Sequence, residues 1–200
     1  MSDERIKELE QIMESYRLQN DREGFIQEMI ATHPDMEIKK NFLAWIEEGL
    51  LRVKFEPEFL NDVLARTGLW TAEGGELRPQ IGFSDSFFAS SPQMPWIALA
   101  HEYSHVKEVL EGISNLSWYT EGATEQNTIK LFADEVRAYI LECNFAKEID
   151  SISLHRPCEI YHGNEGLDGL ELWILEETII EDPRHAPYAD AVKAAMKGKG

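Results

Sequence analysis

Residues 96–109 read WIALAHEYSHVKEV, and this stretch contains the pattern that decides the fold. His101 and His105 are four positions apart, and Glu102 directly follows the first histidine. The apolar flanks favour a buried helix, on which positions i and i+4 are neighbours about 5–6 Å apart. The two imidazoles can therefore face one metal ion. An ordinary helix with two hydrogen-bonded histidines and a surface glutamate would show the same letters.

Zinc is the metal that suits this spacing. It binds His nitrogens at about 2.0–2.1 Å and keeps one position open for water in catalytic sites. Zinc lowers the pKa of that water toward about 7, so that a carboxylate is basic enough to take its proton. Glu102 lies beside the ligands and is the expected general base, so the pattern predicts a zinc-dependent attack of water on a carbonyl group.

Two histidines alone hold zinc poorly, and two glutamates are candidates for the third ligand. Glu135 lies in LFADEVRAYILE, far enough after His105 for the chain to leave one helix and return beside it. Ala138 is small and would let the two helices approach closely. Glu121, in WYTEG, is the alternative and lies where a loop turns into the second helix.

HEYSH followed by a glutamate on a second helix resembles the gluzincin metallopeptidases, in particular the compact ones. The resemblance covers about residues 77–149 and implies a zincin-like fold that acts on a peptide or protein substrate. It also implies that Glu135 binds zinc together with the two histidines and that Glu102 is the general base. DEVRAY is similar to the ligand helix of small gluzincins, whereas WYTEG is similar to the ligand segment of aminopeptidase-like gluzincins.

The larger gluzincins carry an aspartate four residues after the third ligand, where it supports a histidine. That position is Tyr139 here, and Asp134 is the substitute that the sequence offers. In this family an edge strand lines the cleft and pairs with the substrate backbone. QIGF, residues 80–83, is the expected edge strand, although an interior strand would have the same sequence.

A hydrogen-bond donor for the developing oxyanion is expected to come from the chain after the ligand helix. The candidates are His155, Tyr161, His162 and His185. His162, beside Gly163, is the predicted catalytic donor. Arg137 could serve instead, but it is expected to pair with one of the many acids.

The two cysteines, Cys143 and Cys158, are expected to be reduced thiols in a cytosolic chain. His155, Cys158 and His162 also form the run H-x2-C-x3-H. This run lacks a fourth ligand and is interrupted by Pro157, so it is not predicted to bind a metal.

The whole chain has the pattern of an α+β protein, mostly helical with a small sheet. Apolar residues at helical spacing predict two or three helices in residues 1–50, which form an extension packed on the body. Residues 51–200 form the predicted zincin-like domain, in which the active-site helix packs against a second, ligand-bearing helix. The expected elements include strands at 51–55 and 80–83, helices at 58–67, 94–111 and 124–149, and a last helix from Ala189.

The charge is strongly acidic, with 37 Asp and Glu against 19 Lys and Arg and a net charge of −18. Such a surface repels nucleic acid and anionic lipid, so neither is an expected partner. No apolar run approaches the roughly 20 residues of a membrane span, and MSDERIKELEQ does not resemble a secretory signal. These features predict a cytoplasmic protein.

Two other functions stay open at this point. The chain could bind zinc without hydrolytic activity, with the metal in a structural role and the N-terminal helices bound to a partner. It could also be a metal-free, acidic helical interaction protein. Metal content and a Glu102→Gln variant distinguish the three.

Overall fold

The computed structural model describes residues 3–56, 63–114 and 121–198. This part is mostly helical with a small three-stranded mixed sheet, which confirms the α+β composition. The helices are α1 (Asp3–Gln19), α2 (Arg22–Ala31), α3 (Met36–Glu47), α4 (Asp85–Ala89), α5 (Met94–Leu110), α6 (Glu125–Glu148), α7 (Arg156–His162), α8 (Gly166–Ile174) and α9 (Ala189–Lys197). The strands are β1 (Arg52–Phe55), β2 (Ala65–Thr71) and β3 (Leu77–Phe83). None of the described helices combines the length and the apolar character that crossing a membrane requires.

Three N-terminal helices are present, as predicted, and they share a core with the rest of the chain. Met13, Phe25 and Phe42 are fully buried in the same apolar cluster as Trp96 of α5. Asp35 caps α3, because its carboxylate accepts hydrogen bonds from two backbone N–H groups of the first turn. The division of the chain at residue 50 stays a prediction.

The sheet has the order β1-β3-β2, with β3 parallel to β1 and antiparallel to β2. The expected strands at 51–55 and 80–83 are both present. QIGF belongs to the central strand β3, whose two neighbours take up its hydrogen bonds, so its prediction as an edge strand was wrong. Within the described residues, β2 is an edge strand.

The helix predicted over 58–67 was wrong from residue 65 onward, where β2 begins; residues 57–62 lie outside the described part. Ala65 and Thr67 are buried, and they pair with Phe83 and Ile81 of the central strand. Alternating burial of this kind is typical of a strand. Pairing with a distant segment therefore outweighed the local helical pattern.

The two long helices of the predicted site, α5 and α6, are present close to the expected bounds. Pro95 lies in the first turn of α5, and Gly112 follows its end with a φ of 71°, a conformation that favours glycine. Thr124 caps α6 by accepting a hydrogen bond from the Asn127 backbone N–H. Ala138 is fully buried on α6, which packs directly against α5.

Cys143 and Cys158 form a disulfide bond, so the expectation of two reduced thiols was wrong for this structure. Cys143 lies on α6 and Cys158 on α7. Their Cα atoms are 4.8 Å apart, which is within the usual range for a disulfide. The bond ties α7 to the helix that carries Glu135.

Candidate metal centre

The triad, which is His101, His105 and Glu135, brings three metal-binding side chains together from two helices. The histidines project from adjacent turns of α5, and their Nε2 atoms are 3.2 Å apart. Glu135 of α6 places Oε2 3.4 Å from His101 Nε2 and Oε1 3.6 Å from His105 Nε2. Glu121, the alternative ligand, is exposed and lies outside the triad.

These distances suit one tetrahedral metal ion. Ligand atoms bound to zinc at about 2.0–2.1 Å stand roughly 3.3–3.4 Å from one another in ideal tetrahedral geometry. The three separations in the triad lie close to that value before any side chain moves. Two imidazoles and one carboxylate are also a donor set of catalytic zinc sites, so the residues fit the ion.

Glu142, two turns after Glu135 on α6, supports the triad from behind. His101 Nδ1–H donates to Glu142 Oε2 at 2.8 Å, which fixes the ring and leaves Nε2 for a metal. The sequence analysis missed this residue, although its position seven residues after Glu135 places it on the same face of α6. Asp134, the substitute considered for this role, pairs with Arg137 instead, and Tyr139 packs edge-on against the His101 ring.

The pKa shifts of the buried groups indicate which charge the centre favours. Burial alone lowers the pKa of His101, but hydrogen bonds and charges of Glu135 and Glu142 leave that pKa well above 6.5. Burial raises the pKa of Glu135, but His105 and His101 lower it by more, so that the pKa lies below its usual value. Burial likewise raises the pKa of Glu142, and His101 and His155 reverse the shift. The centre therefore stabilises positive charge, whether it is a proton or a metal cation.

Glu102, the predicted general base, is buried and lines the same cleft as the triad. Thr67 of β2 donates a hydrogen bond from Oγ1 to Glu102 Oε2 at 2.6 Å. This contact joins the edge strand to the site and holds the carboxylate in one orientation. The Thr67 contact could not be found by sequence reasoning that expected a helix at this position.

The cleft has a volume of about 410 Å³. Part of its lining comes from residues 63–67, which are the start of β2 and the two residues before it. Tyr139 also lines it, and burial, together with the charges of Glu142 and Glu135, raises the pKa of Tyr139 so that its phenol keeps its proton. His155 and His185 line the cleft as well. Burial lowers the pKa of His185 below its usual value.

The structure does not bring His162, the predicted oxyanion donor, to the cleft. Its Nε2–H donates to the backbone carbonyl of Cys143 at 2.9 Å, and it is not among the cleft residues. Tyr161 is absent from the cleft lining too. Arg137 pairs with Glu108 and Asp134, in line with the expectation that it serves an ion pair.

The arrangement can hold a divalent cation beside a buried carboxylate in a cleft that is open to a ligand. No family model, no curated protein and no solved structure matches the chain. The geometry of the cleft is therefore the basis on which a function is proposed.

Proposed function

We propose that the chain is a zinc-dependent hydrolase with a zincin-like fold that cleaves peptide bonds. One observation carries the proposal: the triad has the spacing of a single tetrahedral ion, and Glu102 lines the same cleft. The mostly helical α+β composition and the placement of the ligands on two packed helices are consistent with it.

Zinc held by the triad would polarise the carbonyl group of the substrate and would lower the pKa of a bound water to about 7. Glu102 is the residue that takes the proton of the attacking water. Thr67 binds its Oε2 and leaves Oε1 for this transfer. Glu142 keeps the proton of His101 on Nδ1, so that Nε2 stays available as a ligand.

A peptide substrate suits the edge of the sheet. The described residues pair β2 with β3 on one side only, and residues 63–67 line the cleft. An extended peptide can add to such an edge through backbone hydrogen bonds, which would bring one of its carbonyl groups to the triad. β2 therefore takes the role that the sequence analysis gave to QIGF. Tyr139 and His185 are two groups in the cleft that can donate to a developing oxyanion.

A Glu102→Gln variant tests the proposal, with Glu111→Gln, at the exposed residue that directly follows the same helix, as the matched control. Metal content is measured after purification without chelator and reconstitution with zinc, and cleavage is measured on a broad peptide library. We expect about one zinc per chain in wild type and both variants. Cleavage should fall by about 10²–10⁴-fold in Glu102→Gln alone, which is the usual contribution of a general base.

Two outcomes would overturn the proposal. Stoichiometric zinc without any cleavage by the wild-type chain would favour the non-hydrolytic zinc-binding protein. Absence of zinc, with added zinc unable to raise the melting temperature, would favour the metal-free interaction protein.

A further inference from the structure

A second group of metal-binding side chains lies next to His101, beside its Nδ1 atom. Glu142, His155 and Cys158 place one ligand atom each within 4.8 Å of one another. Cys143, the residue after Glu142, is joined to Cys158 by the disulfide bond. We call Glu142, Cys143, His155 and Cys158 the second cluster.

The two carboxylate oxygens of Glu142 face different partners: one contacts His101 of the triad, and the other contacts His155 of the second cluster. Oε2 accepts the hydrogen bond from His101, whereas Oε1 is buried and lies in contact with Nδ1 of His155. The carboxylate is buried, so a cation beside Oε1 would compensate its negative charge.

Cys158 Sγ belongs to the group of three, and Cys143 Sγ is connected to it through the disulfide bond. Cys158 Sγ is 3.9 Å from His155 Nδ1, and both cysteines are fully buried. In the disulfide neither sulfur is a thiolate, which is the form that binds metals. A dithiol reductant would give up two electrons and two protons: its two sulfurs join, the Cys143–Cys158 bond breaks, and each cysteine gains one hydrogen.

We propose that reduction of this disulfide creates a second metal site, built from the two cysteine thiolates, His155 Nδ1 and Glu142 Oε1. Two soft sulfurs, one imidazole nitrogen and one carboxylate oxygen form a closed set of four ligands, which suits a thiophilic divalent cation of the zinc type. Binding of the cation releases the two thiol protons to solvent. Glu142 then bridges the two centres, with Oε2 on the His101 side and Oε1 on the second cation.

None of its four ligands belongs to the triad, so this site can be tested apart from the hydrolytic proposal, although Glu142 also orients His101. The H-x2-C-x3-H run pointed to part of it, but it offered His162, which the structure places on the carbonyl of Cys143. Glu142 and Cys143 precede that run by more than ten residues, so only the packing of α7 on α6 brings the four together.

Cobalt titration of the full chain tests the proposal. The metal-free protein is divided into two samples, one kept oxidised and one reduced with a phosphine. The phosphine is converted to its oxide with oxygen from water, and the excess is then removed under anaerobic conditions. Each sample is titrated with Co²⁺, and its absorption spectrum is recorded. We expect about one Co²⁺ per chain without a sulfur-to-cobalt charge-transfer band when oxidised, and about two with that band when reduced.

Variants separate the two centres. Reduced His105→Ala should keep about one Co²⁺ with the sulfur band, which shows the second site even if the hydrolytic proposal fails. Reduced His155→Gln retains both cysteines and should bind the second Co²⁺ at least about tenfold more weakly. A reduced wild-type chain that lacks the second equivalent or the sulfur band would overturn the proposal, and so would a chain that circular dichroism shows to unfold on reduction.

Discussion

Two buried histidines, His33 beside α5 and His101 on it, differ in what surrounds the ring. His33 is enclosed by apolar and backbone groups: its ring stacks on Phe145, and its two nitrogens contact the Asp35 backbone N–H and the Trp96 carbonyl. His101 instead faces the carboxylates of Glu135 and Glu142. Burial therefore lowers the pKa of His33 to about 4, whereas the pKa of His101 is raised.

The difference separates a histidine that completes a core from one that can hold a ligand. Nδ1 of His33 accepts from Asp35, so Nε2 carries the proton and donates to Trp96, and the neutral ring needs nothing further. In the triad the facing groups are two nitrogens and a carboxylate at distances that suit a cation. A buried histidine alone is thus weak support for a metal site; the donors opposite its free nitrogen decide the question.

The distinction between the two environments would be wrong if the same substitution changed zinc affinity and stability equally in both. His105→Gln and His33→Gln are a matched pair for this purpose. His105→Gln removes a ligand, and we expect its zinc dissociation constant to rise by more than about 100-fold, since even outer partners of a ligand contribute 10–100-fold. His33→Gln should bind zinc as wild type does and should lower the free energy of unfolding by about 1–3 kcal/mol, because buried backbone groups lose partners.

Isothermal titration calorimetry with zinc and urea unfolding of the metal-free chain measure the two quantities. Equal losses of zinc affinity in the two variants would contradict the distinction between the environments. A zinc-dependent rise in melting temperature that persists in His105→Gln would contradict the ligand assignment itself.

The low pKa of His33 predicts that the chain loses stability at acidic pH. Its pKa is about 4 in the folded chain and 6.5 in the reference state. Between these values the unfolded chain binds a proton that the folded chain does not, so stability decreases as the pH falls from 6.5 and levels off below 4. At about 1.4 kcal/mol for each pH unit, the loss from His33 by pH 4 is about 3 kcal/mol.

Urea unfolding of wild type and His33→Gln at several pH values, both with chelator, isolates this contribution. From pH 7 to pH 4 wild type should lose about 3 kcal/mol more stability than His33→Gln, so that the variant becomes at least as stable as wild type at pH 4. A constant difference across that range would show that folding leaves the pKa of His33 at its ordinary value.

Local sequence patterns predicted much of the fold and of the triad. The spacing of HEYSH placed two histidines on one helical turn, and the periodicity of α5 and α6 predicted both helices near their bounds. The three N-terminal helices followed from the same kind of pattern. Each of these features depends on residues within a few turns of one another, which is the range that periodicity describes.

The remaining parts of the site depend on packing between distant segments. β2 pairs with β3 in spite of a helical pattern, and it supplies Thr67 to Glu102. The disulfide and the contact of His155 with Glu142 require α7 to fold back on α6. No spacing rule within one segment predicts such contacts, and for the same reason His162 was assigned to a cleft that it does not line.

Glu142 gives a smaller effect than a direct ligand. Glu142→Gln keeps an oxygen that can accept from His101 Nδ1 but removes the negative charge behind the ring. We expect the zinc dissociation constant of the oxidised chain to rise by about 10–100-fold, because outer partners of metal-bound histidines have effects of this size. Glu148→Gln, on the exposed end of the same helix, is the control. Unchanged affinity in Glu142→Gln would mean that the ring of His101 is oriented by α5 alone.

Substitution of His162 is expected to have the smallest effect of all. We expect this histidine to have a structural role, as His33 does. Like His33, it is satisfied by a backbone carbonyl, that of Cys143, and it has no acidic partner among the described residues. His162→Ala should therefore lower the free energy of unfolding by about 1 kcal/mol, the usual effect of losing one hydrogen bond. Zinc affinity and peptide cleavage should stay within about twofold of wild type, since an oxyanion donor would contribute 10²–10³-fold. A loss of cleavage of that larger size, with zinc and stability unchanged, would return His162 to the catalytic residues and would show that the cleft rearranges when substrate binds.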